Sequence, residues 1–413
     1  MTAPGAQITR GATPRATRRG FLAHSARAAV AAWFGPAADA LCRELAVGGE
    51  RLLGTLPFVG EGAFPVEKTI GAGLGRRRAL DLSTLSRETL LTPPDRFFVR
   101  TGCPDALPPA SAWKVRVHGL VEAPVEIAVE ELKREEVPLG AHLLECAGNA
   151  RAAHYGFMSA ASWTGVPLER VLKRVRLRSA ATQVFVSGFD EHSTRDPGSV
   201  PGASWIFRLA QIRESGAFLA TRMNGAALRP DHGYPLRLVV PGWYGCAAIK
   251  WVNEIALLDD EAPATDHMRE YAGRTHQDPV GPRDDFLVRT GRRPEGPRLA
   301  RDFQPATIDP AALPVRVEKL GGAGGKISYR IVGILWGGRT SAALSIRLDP
   351  DLSFAPVEDI GSGAGSPWTL WSHTFQPRAP GRYRIELAVR DPAVRTRRLD
   401  MGFYAREFEI ASA

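Results

Sequence analysis

The chain has 413 residues, 44% of them hydrophobic and 23% charged, which excludes a mainly disordered or fibrous protein and leaves room for two or three domains. With 42 Gly and 32 Pro, turns and short strands are favoured over a helical bundle. The formal net charge of +9 is unevenly spread, and no run of Lys and Arg is interleaved with aromatics, which argues for attraction to a small anion rather than to nucleic acid.

Residues 1–40 read as a Tat-type signal. Arg18-Arg19 precede Phe21-Leu22 and an apolar stretch, Ala28 to Phe34, and Ala38-Asp39-Ala40 follows as a small-x-small cleavage site. The plainer reading is a basic arm on an alanine-rich helix. The stretch is short for a transmembrane helix, and no later run of roughly 18 apolar residues follows it. Periplasmic or other export is therefore expected. Because that route carries folded proteins, it suits a chain loaded with a cofactor beforehand. Leu41 stands where a lipoprotein signal needs a small residue, so Cys42 reads as an ordinary thiol.

Residues 41–88 read as irregular. The run Gly71-Ala72-Gly73-Leu74-Gly75 is no phosphate-binding fingerprint, because no strand and amphipathic helix frame it. Strands are expected at Arg96 to Arg100 and at Trp113 to Val117. A helix is expected at Pro167 to Val175, where Leu168, Val171, Leu172 and Val175 form one stripe. Further strands are expected at Gln183 to Ser187, Leu236 to Val240 and Trp251 to Leu257. Asp278 to Pro305 reads as a linker. Beyond it the period becomes two: Tyr383, Ile385, Leu387 and Val389 alternate with Arg384, Glu386, Ala388 and Arg390, and Leu344, Ile346 and Leu348 repeat the pattern. The expected class is α+β, a mixed domain over 89–290 followed by an all-β immunoglobulin-like sandwich over 291–413.

Cys42, Cys103, Cys146 and Cys246 include no C-x-x-C pair and no C-x-x-C-H site, so zinc, iron–sulfur and c-type haem signatures are missing. A bridge among Cys42, Cys103 and Cys246 and single special thiols both remain open. Within His142-Leu143-Leu144-Glu145-Cys146-Ala147-Gly148-Asn149-Ala150-Arg151, a cysteine ends an apolar strand ahead of a small-residue turn and an arginine. Such a thiolate suits a soft metal, and Arg151 would lower its pKa and hold an anion. A buried structural cysteine fits the spacing too.

A second block runs Arg229-Pro230-Asp231-His232-Gly233-Tyr234-Pro235-Leu236-Arg237-Leu238-Val239-Val240-Pro241-Gly242-Trp243-Tyr244-Gly245-Cys246-Ala247-Ala248-Ile249-Lys250-Trp251-Val252. With the first block it resembles the molybdopterin domain of the sulfite oxidase family, over roughly residues 90 to 410. The resemblance implies a molybdenum held by two dithiolene sulfurs of one pyranopterin, by oxo groups and by one cysteine, matching Cys146. His232, Arg237 and Lys250 match positions that grip the pterin and its phosphate, as charge-assisted donors would. Arg100, Arg151, Trp163 and Tyr271 match an oxyanion pocket, and Arg339 is a further match from the sandwich. The plain alternatives are a solvated strand face for Arg237 and Lys250, a turn histidine for His232, and core packing for Trp163 and Tyr271.

One departure bears on substrate. Family members with sulfite activity commonly follow the first arginine with Asn and His, whereas Arg100 is followed by Thr101-Gly102-Cys103. No His-Pro-Gly-Gly haem signature is present, so the resemblance implies no haem in this chain and a separate c-type cytochrome as acceptor. It also implies a homodimer through the sandwich and oxidation of a small anion, sulfite to sulfate. Two alternatives stay open: a sulfoxide-type reductase on the same cofactor, and a cofactor-free exported binding protein.

Overall fold

In the strand Gly381–Val389, Tyr383, Ile385 and Leu387 are buried while Arg384 and Glu386 turn towards solvent, as the period of two requires. Arg347 stands opposite Glu386 on the neighbouring strand and pairs with it, a cross-strand contact that fixes register. The computed structural model describes residues 50–189, 202–277, 297–337, 344–351, 353–361 and 366–412. The signal, Cys42, Arg339 and linker residues 278–296 lie outside that set.

Among the described residues the protein is sheet-rich, with few and short helices. Two antiparallel sheets make the C-terminal part. One orders Arg51–Leu56, Ala311–Gly321, Ile327–Trp336, Trp368–Phe375 and Glu358–Gly361; the other orders Ala355–Pro356, Leu344–Asp349, Gly381–Val389 and Arg406–Ile410. They share one core containing Trp336, Trp371, Ile385 and Phe408. The strand Arg51–Leu56 corrects the expectation of an irregular segment. Its largely exposed side chains give no alternation to read, and its place at the sheet edge comes from pairing with Gly321 to Val317.

The central part holds a mixed sheet ordered Val125–Ala128, Lys114–Gly119, Val252–Leu258, Gln183–Gly188 and Ser204–Arg208, in which Val252–Leu258 runs parallel to Lys114–Gly119. A second sheet orders Arg237–Val239, Phe218–Met223, Met158–Pro167 and Val137–Glu145. The expected helix is present but shorter, Leu168–Leu172, with Leu168, Val171 and Leu172 buried. Arg174 and Val175 donate to Val171 and Leu172, three residues back, and this tighter turn ends the helix. The strand expected at Arg96 to Arg100 is instead a turn. Arg96 and Phe97 both donate to the Pro93 carbonyl, and only a single bridge, Arg78 with Val99, remains. The end of the expected linker is packed, with Ala300 and Phe303 buried against the central core.

One buried ion pair joins the parts. Arg406 donates to Glu61 through Nε (2.6 Å) and Nη2 (3.0 Å), and also to the carbonyls of Pro314 and His154. Both side chains are under a tenth exposed. Removing one member leaves the other charged and dry, so Glu61→Ala should cost about 3–5 kcal/mol in chemical denaturation. A loss below about 1 kcal/mol, the scale of an exposed pair, would contradict that role.

Candidate functional site

Cys146 follows the last residue of the strand Val137–Glu145, where the chain must turn. Its N–H donates to Phe157 (2.9 Å) and its carbonyl accepts from Asn149 N–H (2.9 Å), while Asn149 Oδ1 accepts from Phe157 N–H (3.1 Å). The turn is thus closed by backbone and one amide. Gly148 N–H donates to the Cys146 sulfur at 3.4 Å, which orients the side chain within the turn. Gly245 lies over this turn, and a Cβ there would sit 3.2 Å from the Glu145 carbonyl oxygen. The second block therefore packs directly on the first.

In that block, Pro230–His232 forms a 3-10 turn ended by Gly233 at φ +101°, where a Cβ would also fall 2.9 Å from that of Arg237. Leu238 N–H donates to Ile249 (2.7 Å) and Val252 N–H to Leu236 (3.0 Å), so Arg237 and Lys250 are brought together. His232 Nε2 lies 2.8 Å from the Pro94 carbonyl, which only accepts. Nε2 therefore carries the proton. Burial pushes the imidazole down to about 3, so it is neutral and its Nδ1 is an acceptor.

Arg237 is the least compensated charge here. It is buried, Nη1 donates to the His232 carbonyl (3.1 Å), and its guanidinium lies 5.4 Å over the Trp163 ring. Nε has no partner among the described residues, and no carboxylate there pairs with it. Burial pushes the group down to about 9, still protonated near neutrality. Lys250 Nζ donates to the carbonyls of Thr101 and Asp231, the latter at 2.9 Å. The departure Thr101-Gly102-Cys103 has a packing cause as well: a Cβ on Gly102 would lie 2.1 Å from the Gly73 carbonyl oxygen, and Cys103 N–H donates to Asp231 (2.8 Å). The Gly-rich run at 71–75 thus abuts the site as packing.

One cavity is lined by Arg100, Cys146, His232, Arg237, Lys250 and Tyr271. Burial pushes the Tyr271 phenol up, so it keeps its proton. Trp163 does not line the cavity; it is fully buried, edge-on to Phe97, and supports Arg237 from behind. Arg151 is not brought there either. It is exposed, and Nη2 donates to the Ala405 carbonyl, because the 3-10 turn Arg151–Ala153 carries it towards the C-terminal sheets. Arg339 lies outside the described residues. Cys103, Cys146 and Cys246 are all free thiols, and Cys246 also lines the cavity.

Three residues emerge that sequence reading missed. Glu145 is fully buried; it accepts from Trp336 Nε1 (3.0 Å) and Tyr404 OH (3.2 Å), and Arg398 lies 3.8 Å away. Burial pushes its carboxyl up, with Arg398 opposing. A carboxylate inside the apolar run before Cys146 was the available signal. Arg398 and Arg274 come from segments without a motif and had none.

The family model for an oxidoreductase molybdopterin binding domain matches residues 102–266, which hold both the Cys146 turn and the second block. Sulfite oxidase of Gallus gallus is 30% identical over 319 residues, covering 71% of this chain and 65% of that one. The NADPH nitrate reductase of Aspergillus niger is 30% identical over 296 residues, covering 66% of this chain and 32% of its own. The chain thus spans about a third of such nitrate reductases. The crystal structure of the sulfane dehydrogenase SoxCD from Paracoccus pantotrophus shares the fold, with a TM-score of 0.56 at 18% identity over 79% of this chain and 78% of that chain. This chain thus carries a molybdopterin-binding oxidoreductase domain and is similar to the sulfite oxidase family.

The donor set fits that cofactor. Among the described residues no three His, Cys, Asp or Glu side chains converge, so no protein cluster there completes a metal's coordination, which fits a metal that brings ligands with its cofactor. Arg237 offers a dry, unmatched positive charge to a phosphate. Arg237→Met should therefore stabilise the cofactor-free chain, by about 1–4 kcal/mol, while lowering the pterin retained on purification. Thermal unfolding with pterin quantification checks this; lower stability with unchanged pterin would contradict it.

Proposed function

We infer that this protein is a molybdenum-pterin oxidoreductase acting on a small oxyanion, with sulfite oxidation to sulfate the best-supported reaction. The observation that carries the reading is one cavity shared by the Cys146 thiol and the uncompensated Arg237, with Arg100 and Lys250 beside them. Sulfite and water give sulfate, two protons and two electrons. When bound, the cofactor supplies oxygen-atom transfer and two-electron storage. Cys146 anchors the metal. His232, Arg237 and Lys250 hold the pterin and its phosphate through an acceptor nitrogen and two cations. Arg100 and the protonated Tyr271 face the reacting end, where a guanidinium binds an oxyanion and a phenol donates to it.

The related proteins are named for sulfite and for nitrate, both small oxyanions, which favours an anion over a neutral sulfoxide. In the same reading, electrons pass to a c-type cytochrome, the C-terminal sheets are immunoglobulin-like and support a homodimer, and the twin-arginine segment exports the loaded protein. Among the described residues no helix is long and apolar enough to cross a membrane.

Elemental analysis of protein from a molybdenum-replete host should find one molybdenum per chain; none would favour a cofactor-free binding protein. Cys146→Ser should keep the fold by circular dichroism and lose sulfite:ferricyanide activity by at least about a thousandfold, roughly 4 kcal/mol of barrier. Full activity in that variant would overturn the ligand assignment.

A further inference from the structure

Tyr271 ends the short helix Asp266–Tyr271, and His267 lies one turn earlier on the same face, so both line the cavity with Cys146. The two rings meet edge to face, with centroids 5.0 Å apart and planes at 89°. Among the described residues no hydrogen bond holds the Tyr271 hydroxyl, so its direction depends on ring contacts. The chain leaves the helix through the 3-10 turn Ala272–Arg274, and the Arg274 guanidinium carbon lies farther off, 5.9 Å over the same ring.

His267 is itself fixed. It is buried, Ser204 N–H donates to its Nδ1 (3.3 Å), and that nitrogen also lies 3.2 Å from the Ser204 carbonyl oxygen. The ring is therefore tied to the strand Ser204–Arg208 in either tautomer. Trp205 of that strand meets it edge-on at 6.2 Å and packs in turn on Phe303. Two further contacts seat the helix there: Thr265 Oγ1 donates to the Ser204 carbonyl (3.1 Å), and Ile206 N–H donates to Met268 Sδ (3.4 Å). Burial pushes the imidazole down to about 4, so it is neutral and brings no charge to the cavity.

We propose that His267 is a positioning residue for Tyr271: its imidazole, anchored on Ser204, holds the phenol ring so that the hydroxyl meets an oxyanion at the reacting end. This rests on the oxyanion reading above. A group displaced by about 1 Å can lose roughly a hundredfold in rate, so His267 need not touch substrate to govern the reaction.

A double-mutant cycle on molybdenum-loaded protein tests this, reading kcat/KM for sulfite and sulfate affinity by calorimetry. Tyr271→Phe alone should lower kcat/KM about tenfold or more. His267→Leu keeps bulk and removes the ring; it should lower kcat/KM about tenfold and weaken sulfate about threefold when Tyr271 is present. In the Tyr271→Phe background the same change should shift neither by more than about twofold. His267→Phe restores a ring edge and should recover part of the loss. His267→Gln, also without a ring, takes the place of His267→Leu if that variant fails to fold.

Wild-type behaviour of His267→Leu, equal losses in both backgrounds, or the full loss in His267→Phe would overturn the role. So would failure of both ringless variants to fold, or loss of molybdenum from both, which would make His267 a structural or a cofactor-holding residue. Tyr271→Phe at the wild-type rate would remove the donor that His267 places. Wild type without molybdenum would sink the underlying reading and this one with it; uncoupled losses with molybdenum present sink the His267 role alone.

Discussion

The Cys146 turn depends on a buried polar cluster whose members come from opposite ends of the chain. Glu145 supplies the carboxylate, while Trp336, Tyr404 and Arg398 come from the C-terminal part. Taking a carboxylate and a guanidinium out of water costs several kcal/mol each, and only full hydrogen bonding offsets it. Here the bonds from Trp336 and Tyr404 cross the boundary between the two parts and offset that cost in part, so the C-terminal sheets help to hold the thiol turn in place. Arg398 extends the cluster by donating to the Ala147 and Arg274 carbonyls, which ties the Cys146 turn to the Ala272–Arg274 turn.

The cavity follows the opposite rule. Arg237 is buried without a carboxylate among the described residues, and the neutral His232 beside it offers an acceptor rather than a charge. A site left uncompensated in the protein is completed by an anionic ligand, whose binding relieves the desolvation cost that folding incurred. The carboxyl behind the thiol thus has hydrogen-bond donors within the chain, while Arg237 in the cavity faces no carboxylate among the described residues.

What was legible in the sequence follows the range of the interaction. The alternation of Gly381–Val389 and the stripe of Leu168–Leu172 are local periodicities, and both appear, the helix shorter than its pattern suggested. Cys146, His232, Arg237 and Lys250 lie in two blocks whose short-range turns carry them into one cavity. Arg151 lies only five residues after Cys146 yet points elsewhere, because the turn Arg151–Ala153 redirects it and the Ala405 carbonyl captures it. Trp163 belongs to the same neighbourhood but faces the far side of Arg237. Arg274 and Arg398 act through contacts between distant segments, and the edge strand Arg51–Leu56 is defined by its partner alone. None of these leaves a local pattern.

The central claim is that Cys146 is the one protein ligand to the metal, in a site completed by the cofactor. Molybdenum K-edge X-ray absorption of the oxidised, loaded protein tests it most directly. Wild type should show the two dithiolene sulfurs plus one further sulfur at bonding distance, and Cys146→Ser should lose that one sulfur while keeping the metal. An unchanged sulfur shell in Cys146→Ser would contradict the account.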